Sequence, residues 1–335
     1  MTPSDLDLPG SDGTPQTIGF LLIPDFALLA YASAVEPLRA ANILSGRTLY
    51  RWRHLSPDGG PVAASNGLTI TPDLLLEDAA ELDMLLVCAG GNPASFRDRA
   101  TLNRLRRLSR ARLCIGGVSG GPYILARAGL LRGHRFTLHW EHAESLSEEF
   151  PDLDLRRSLF EIDRDRLTCS GGTAPLDMMH ALLARDHGAA LAMRVSEWFL
   201  QTQIREGAGP QRMAPGQRLG VSNRAMQKVL EFMEGQIETP SSRDRLASLA
   251  GVSVRQLERL FRVHLGRTPG AHYRQLRLER ARLLLRQSGL SVLEVAVACG
   301  FASASHFSRV YRTAFGHPPI DERAAVGGRK CRSRT

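Results

Sequence analysis

The apolar positions of this chain follow two different periods, and the change from one to the other divides it. In the N-terminal part, short and nearly continuous apolar runs alternate with amphipathic stretches. TIGFLLI (17–23) reads as a buried strand and YASAVEPLRAANIL (31–44) as a helix. RWRHLSP (51–57) reads as a second strand, and Asn66-Gly67 as a hairpin turn before LTITP. DMLLVCAGG (83–91), ARLCIGGVSG (111–120), Gly133–Thr137 and RLTCSGG (166–172) supply further strands. TLNRLRRLSR (101–110), PYILARAGLL (122–131), APLDMMHALLARDHG (174–188) and residues 189–205 supply helices. Alternating βα units predict a doubly wound, mainly parallel sheet with ligands at the C-terminal edge of its strands.

Beyond residue 220 the period is helical throughout, and one pattern occurs twice. LASLAGVSVRQLERLFRVHLGRTP (246–269) and VAVACGFASASHFSRVYRTAFGHPP (295–319) align at an offset of 49 residues at their start. After one inserted residue the offset is 50, pairing Leu257 with Phe307, Phe261 with Tyr311, Gly266 with Gly316 and Pro269 with Pro319. Each copy holds a short helix of small residues, a glycine turn and a second helix with an i, i+3, i+4 apolar stripe, which is a helix-turn-helix. The stripe buries Leu257, Leu260, Phe261 and Leu265 in the first copy and Phe307, Val310 and Tyr311 in the second. It leaves Arg255, Glu258, Arg259 and Arg262 outward in one copy, and Ala304, Ser305, Ser308, Arg309 and Arg312 in the other. Arginine grips guanine O6 and N7 with two hydrogen bonds, and serine or alanine touches other base edges. Arg262 and Arg312, further along, are better placed to neutralise phosphates. Between the copies, AHYRQLRLERARLLLRQSG (271–289) predicts a helix that holds the two heads about one DNA turn (~34 Å) apart. NRAMQKVLEFMEGQIE (223–238) predicts another helix ahead of the first copy.

Charge follows the same division. The chain carries 43 Lys+Arg and 34 Asp+Glu, a net charge of +9 over 335 residues. From Gly216 onward there are 21 basic and 9 acidic residues, a net of +12, so the remainder sums to −3. The positive excess belongs to the tandem unit, as a phosphate-binding module requires. Five cysteines without C-x-x-C or metal-type spacing read as reduced thiols of a cytoplasmic protein, and no metal or cofactor is expected. The start, MTPSDLDLPGSDG, is too polar for a signal peptide, and no apolar run reaches the ~18 residues of a membrane span. The expected boundaries are a flexible start at 1–16, a sensor domain at 17–205, a Gly/Pro/Gln linker at 206–220, a DNA-binding domain at 221–323 and a basic disordered tail at 324–335.

Within the first domain, Gly117-Val118-Ser119-Gly120-Gly121-Pro122 has the G-x-S-x-G pattern of a nucleophile elbow between a strand and a helix. Glycines are also what any sharp strand-to-helix turn needs. Two resemblances bear on this. Residues 220–323 resemble the AraC/XylS family of transcription regulators, through LASLAGVS, PxxxYRQLRLERARLLL and the second copy. The family's usual Pro-Ser-x-x-Tyr-Arg ending is replaced by Pro318-Pro319-Ile320-Asp321-Glu322-Arg323, a departure that resembles regulators of amino-acid and quaternary-amine catabolism. Residues 17–190 resemble the PfpI-type, class I glutamine amidotransferase-like domain, whose elbow residue is normally Cys. That resemblance implies a flavodoxin-like α/β fold, Glu36 as the acid, Gly90-Gly91 as a backbone-donor loop and His139 as a possible base.

A hydroxyl at position 119 is far less acidic than a thiol, and without a placed base it is a poor nucleophile. The expected role is therefore recognition of a small effector by Glu36, Gly90, Gly91, Ser119, Gly120, His139 and Trp140, with no catalytic residue. An indole face and a carboxylate suit a cationic amine, and the resemblance to regulators of arginine, carnitine or glycine-betaine use points the same way. The implied protein is a transcription regulator, an activator by expectation, with promoter DNA, a small effector, RNA polymerase and a second copy of itself as partners, and no membrane. The competing expectation is a Ser119-dependent hydrolase or amidase carrying a DNA-binding tail.

Overall fold

The structure, a computed structural model, describes residues 14–322, so the expected basic tail and most of the expected flexible start lie outside the described residues. The chain forms two compact units that divide between Gln211 and Arg212. The first is built on β1 (Gln16–Leu22), α1 (Leu28–Ser45), β2 (Tyr50–Ser56), the short strands β3 (Val62–Ala63), β4 (Thr69–Ile70) and β5 (Leu74–Leu75), and β6 (Met84–Ala89). It continues with α2 (Arg99–Arg110), β7 (Cys114–Ser119), α3 (Gly121–Arg127), α4 (Trp140–Glu149), β8 (Phe160–Asp163), β9 (Arg166–Cys169), α5 (Ala174–His187) and α6 (Ala189–Trp198).

The main sheet has the order β5-β2-β1-β6-β7-β9-β8, and only the β8–β9 pair is antiparallel. Side chains on a strand alternate between faces, and the central strands use both. Ile18, Phe20, Leu22, Met84, Leu86 and Cys88 enter one core with α1, α5 and α6. Leu21, Ile23, Leu85, Val87 and Ala89 enter the other with α2, α3 and α4. Burial on both faces explains why these strands read as unbroken apolar runs rather than alternating ones. Helix α2 shows how the sequence sets each element. Asp98 caps it by accepting from Ala100 N at 3.2 Å and Thr101 N at 3.0 Å, and Leu102, Leu105 and Leu108 bury its inner stripe. Such a cap is worth about 1 kcal/mol, and each buried leucine about 1.5–3 kcal/mol.

Three expectations change. Gly133–Thr137 is not a strand and makes only the isolated bridge Phe136–Leu155. Arg135 N goes to Asp163 Oδ2 and Thr137 N to Thr168 Oγ1, while His134 N and Phe136 N go to the carbonyls of Leu131 and Asp154, and β8 takes the place beside β9. The helix expected over 189–205 ends at Trp198, and Leu200 takes a φ of +55°. The segment expected as a linker is built into both units. Gly207 O accepts from Leu159 N at 2.7 Å and Gln211 bonds to the 137–138 loop, while Pro215–Arg218 forms a short helix, α7.

The second unit contains α7, α8 (Arg224–Gly235), α9 (Arg243–Ala250), α10 (Val254–Leu265), α11 (Pro269–Gln287), α12 (Val292–Ala298) and α13 (Ala304–Phe315). It has two cores. Met226, Val229, Leu230 and Met233 of α8 pack with Leu246, Ala247, Leu257 and Phe261 in the first. Val295, Ala296, Phe307 and Tyr311 form the second. Helix α11 serves both, giving Tyr273 to one and Leu278, Ala281, Leu284 and Leu285 to the other.

The internal repeat is also visible in the caps. The first helices start after Ser242 and Ser291, and the second helices after Ser253 and Ser303, which are offsets of 49 and 50. The inserted residue therefore lies in the turn between Gly300 and Ser303, whose counterpart runs from Gly251 to Ser253. Both turn glycines have positive φ, +66° at Gly251 and +71° at Gly300.

Candidate nucleic-acid interface and elbow cleft

On α10 the apolar stripe turns Leu257 and Phe261 fully inward, with Leu260 and Leu265 partly buried. Arg255, Arg259 and Arg262 are exposed, and with Glu258, Ser253, Gln256 and Val263 they line an open hollow of about 590 Å³. Glu258 is half-buried and accepts from Arg243 of α9 at 3.2 Å, which ties the two helices of the first copy together. On α13, Phe307 and Tyr311 are buried while Ser305, Arg309 and Arg312 are exposed and Ala304 and Ser308 half-buried. Of the nine residues singled out from the repeat, Arg255, Arg259, Arg262, Ser305, Arg309 and Arg312 are exposed, while Glu258 and Ser308 flank the buried stripes and Ala304, three residues before Phe307, lies on the inward side of α13. His306 is also exposed at the start of α13, at the position equivalent to Gln256. Gln256 is occupied in a capping box with Ser253, whereas Ser303 caps α13 without such a partner.

Two groups missed in the sequence hold the second copy in place. Arg277 of α11 donates through Nε to Cys299 O at 2.7 Å and lies 4.0 Å from the Phe301 ring centroid, gripping the turn. Glu322 is 1% exposed and accepts from Tyr311 Oη at 2.6 Å, Arg282 Nε at 3.0 Å and Arg286 Nε at 2.6 Å. Burial alone raises the pKa of such a carboxyl, but these hydrogen bonds outweigh it and hold Glu322 below its ordinary value. The divergent Pro-Pro-Ile-Asp-Glu ending is what supplies this group.

In the first unit β7 ends at Ser119 with φ +60°, the strained conformation of an elbow. Helix α3 begins two residues later, and a Cβ on Gly121 would sit 1.9 Å from Val87 O, so the turn requires glycine there. The Gly90-Gly91 loop is placed at the same strand edge against Asp25, since a Cβ on Gly90 would meet Asp25 O at 2.5 Å. Asp25, itself at φ +65°, was not singled out in the sequence. His139 N donates to Ser119 O at 3.1 Å, which brings the 137–139 loop onto the elbow. The His139 ring lies 5.4 Å from the Trp140 ring.

The contacts around the elbow hydroxyl are few. Among the described residues no base is hydrogen-bonded to Ser119 Oγ. His139 Nδ1 accepts from Glu141 N at 3.4 Å, capping α4, and burial lowers the pKa of the ring despite Glu141 beside it. Glu36 is engaged on its own helix. It lies eight residues into α1, ~12 Å along the helix axis from its start, and accepts from Arg39 Nε at 2.8 Å. The carboxylate beside the aromatic pair is Glu141, 3.9 Å from His139 Nδ1. Among the described residues every thiol is buried away from such a role. Cys88, Cys114, Cys169 and Cys299 are all buried, and burial raises the pKa of the first three.

Comparison with known proteins decides the family. A model of the DJ-1/PfpI family matches residues 20–185, and a helix-turn-helix domain model matches residues 246–325. The chain is 49% identical to the HTH-type transcriptional regulator GlxA of Rhizobium meliloti (strain 1021), over 93% of this chain and 97% of that one. The chain belongs to this family of HTH-type transcriptional regulators. It is also 46% identical to the regulator GbdR of Pseudomonas aeruginosa (strain UCBPP-PA14), over 96% of this chain and 88% of that one. The crystal structure of an AraC family transcriptional regulator from Pseudomonas putida matches 55% of this chain and all of its own, with a TM-score of 0.50 and 29% identity. As an HTH-type regulator with an AraC-type C-terminal unit, the protein binds DNA through a tandem helix-turn-helix. Its DJ-1/PfpI unit fits a sensor role.

Proposed function

We propose that the elbow cleft binds a small metabolite without turning it over, and that this binding governs how α10 and α13 engage promoter DNA. The observation that carries the reading is the pairing of a fully formed elbow at Ser119 with a hydroxyl that has no bonded base. A few convergent polar groups at a strand edge recognise a ligand whether or not one of them reacts with it. The effector class is an amino acid or a quaternary amine. Its cation would rest against the Trp140 and His139 rings beside the Glu141 carboxylate, a combination that favours ammonium groups. Arg255, Glu258, Arg259, Ala304, Ser305, Ser308 and Arg309 would read bases, while Arg262 and Arg312 would hold phosphates. The chain would act as a cytoplasmic homodimer that recruits RNA polymerase.

The test is a thermal-shift screen of the full chain against amino acids, betaines, carnitine and polyamines. A ligand at 100 times its Kd adds about 2.7 kcal/mol to folding, which such a screen resolves. A selective hit that is recovered unchanged after prolonged incubation supports the sensor. Turnover of the hit, abolished in Ser119→Ala, would establish the hydrolase instead.

A further inference from the structure

The segment that leaves the first unit is strapped to both sides of the elbow. After α6 the chain runs from Phe199 to Gln211 as loop and turns, with no helix or strand of its own. Its first anchor is Asp177 of α5, whose side chain is fully buried. Oδ1 accepts from Gln201 Nε2 and Arg205 N, both at 2.8 Å, and Oδ2 accepts from Arg205 Nε at 2.9 Å and Nη2 at 2.6 Å. Arg205 Nη2 also donates to Thr173 Oγ1 at 2.9 Å. Thr173 is two residues from Gly171, which packs so tightly on the elbow that a Cβ there would lie 2.7 Å from Ser119 Cβ.

The second anchor is Gln211. Its Nε2 donates to Thr137 Oγ1 and Leu138 O at 3.0 Å and to Ser158 O at 2.7 Å. Leu138 adjoins His139, whose N–H holds Ser119 O. The two anchors differ in kind. Asp177 has its acceptor positions filled by charged and neutral donors, and removing a buried charge's partner is costly. Gln211 has two amide hydrogens for three acceptors, and its buried Oε1 has no partner among the described residues, as is also true of Ser158 Oγ. An incompletely satisfied polar contact is easily exchanged for another. The next residue, Arg212, begins the second unit.

We infer that residues 199–211 are the transmission strap of the sensor: the Asp177 end is a fixed hinge, and the Gln211 end is a releasable latch. A ligand seated on Ser119, His139 and Trp140 moves the 137–139 loop, redirects the Leu138 carbonyl and frees Gln211. The chain ahead of Arg212 is then no longer held. This rests on the proposed ligand cleft, but the latch itself is testable without any ligand, because coupling between two sites is reciprocal.

The test compares the full-length wild type with Gln211→Met, which keeps side-chain length and removes the donors. Amide hydrogen exchange is followed along the chain, and DNA affinity is measured on the tightest duplex that the wild type selects from a random pool. The expected result is exchange at residues 118–121 and 138–141 rising at least about fivefold and DNA affinity shifting by a similar factor, the lower end of typical coupling. Unchanged exchange at the elbow overturns the latch, whatever happens to DNA affinity. Faster exchange there with unchanged DNA affinity overturns transmission. If Gln211→Met does not fold, Thr137→Val, which removes one acceptor of the same latch, replaces it with the same criteria. In a separate arm the wild type is titrated with glycine betaine and with L-arginine. A probe that raises the melting temperature yet leaves exchange at 205–211 unchanged also refutes the strap. Probes that do not bind count against the proposed effector class, and the Gln211 comparison still decides the latch.

Discussion

Glu322 offers the most direct check on how the second reading head is held. In Glu322→Gln the carboxylate that accepts from Tyr311, Arg282 and Arg286, and lies 3.2 Å from His317 Nε2, becomes an amide with one acceptor oxygen. Its new NH₂ group would face donors at a site 1% exposed to solvent. Breaking a fully buried ion pair costs about 3–5 kcal/mol. Here Arg282 and Arg286 are 37% and 38% exposed, so water screens their half of the interaction. Gln also retains one acceptor, and the expected cost falls to about 2 kcal/mol. For a unit of little more than 100 residues, that lowers its melting temperature by about 8–10 °C.

The chain separates the signal from the rest of the molecule. All three tryptophans, Trp52, Trp140 and Trp198, lie in the first unit, so fluorescence follows that unit while helical circular dichroism follows both. The dichroism transition of the second unit should fall in Glu322→Gln while the tryptophan transition stays in place. The sign with pH is also set. The folded pKa of Glu322 lies below its usual value of 4.5, so its stabilisation is complete above that value. It is lost as pH falls through the folded pKa, and the gap between wild type and variant should close there. A drop of less than about 2 °C at neutral pH, or an equal drop in the tryptophan transition, would refute the reasoning.

Three further outcomes follow from the same geometry. Arg259→Ala and Arg309→Ala should each weaken specific DNA binding by about 1–3 kcal/mol and relax preference at one base pair, whereas Arg262→Ala or Arg312→Ala should weaken all sequences alike and reduce the salt slope by about 1; equal losses on specific and random duplexes for Arg259 or Arg309 would make them phosphate contacts. The two turn glycines should respond unequally to alanine: Gly251 has open space around its Cβ position and should lose about 1 kcal/mol, while a Cβ on Gly300 meets Glu238 O at 2.3 Å and should cost about 3 kcal/mol by urea denaturation. His139 should titrate below 6.5 in an NMR pH series, because burial disfavours its charged form, so its contribution to stability rises with pH through that window; a value above 6.5 would place an unassigned anion beside it.

What could be read in the sequence was whatever repeats or alternates. Strands buried on both faces announce themselves as TIGFLLI and DMLLVCAGG, and the second helices of the two copies announce themselves through a shared stripe and a shared terminal glycine. The elbow was legible because Gly117, Gly120 and Gly121 have no apolar or periodic reason to cluster. What escaped depends on single side chains meeting across long separations. Gly133–Thr137 reads as a strand, yet Asp163 and Thr168 capture the N–H groups of Arg135 and Thr137 from about 30 residues away. Glu36 pairs with Arg39 three residues on in α1, a contact the elbow motif does not announce. Residues 206–211 have a linker's composition, and only contacts across long separations, Gly207 O with Leu159 N and Gln211 with Thr137 74 residues away, show that the segment is fastened.

The fastening matters because little else in the DNA-binding unit is free to move. Helix α11 has 19 residues and is ~28 Å long, close to the ~34 Å of one DNA turn. Its N-terminal part is tied through Tyr273 Oη to Gln236 O at 2.5 Å, just after α8, and its middle through Arg277 to Cys299 O in the turn of the second copy. Arg282 and Arg286 add the Glu322 clamp near its C-terminal end. Side chains from this one helix enter both cores, so a change in the spacing of the heads would have to disrupt packed leucines in the second core or Tyr273 in the first. Large displacements inside close-packed cores are resisted far more strongly than rearrangement of a polar contact. A regulatory signal therefore has its easiest path ahead of α7, where the pair of heads can be presented or withheld as one rigid reader.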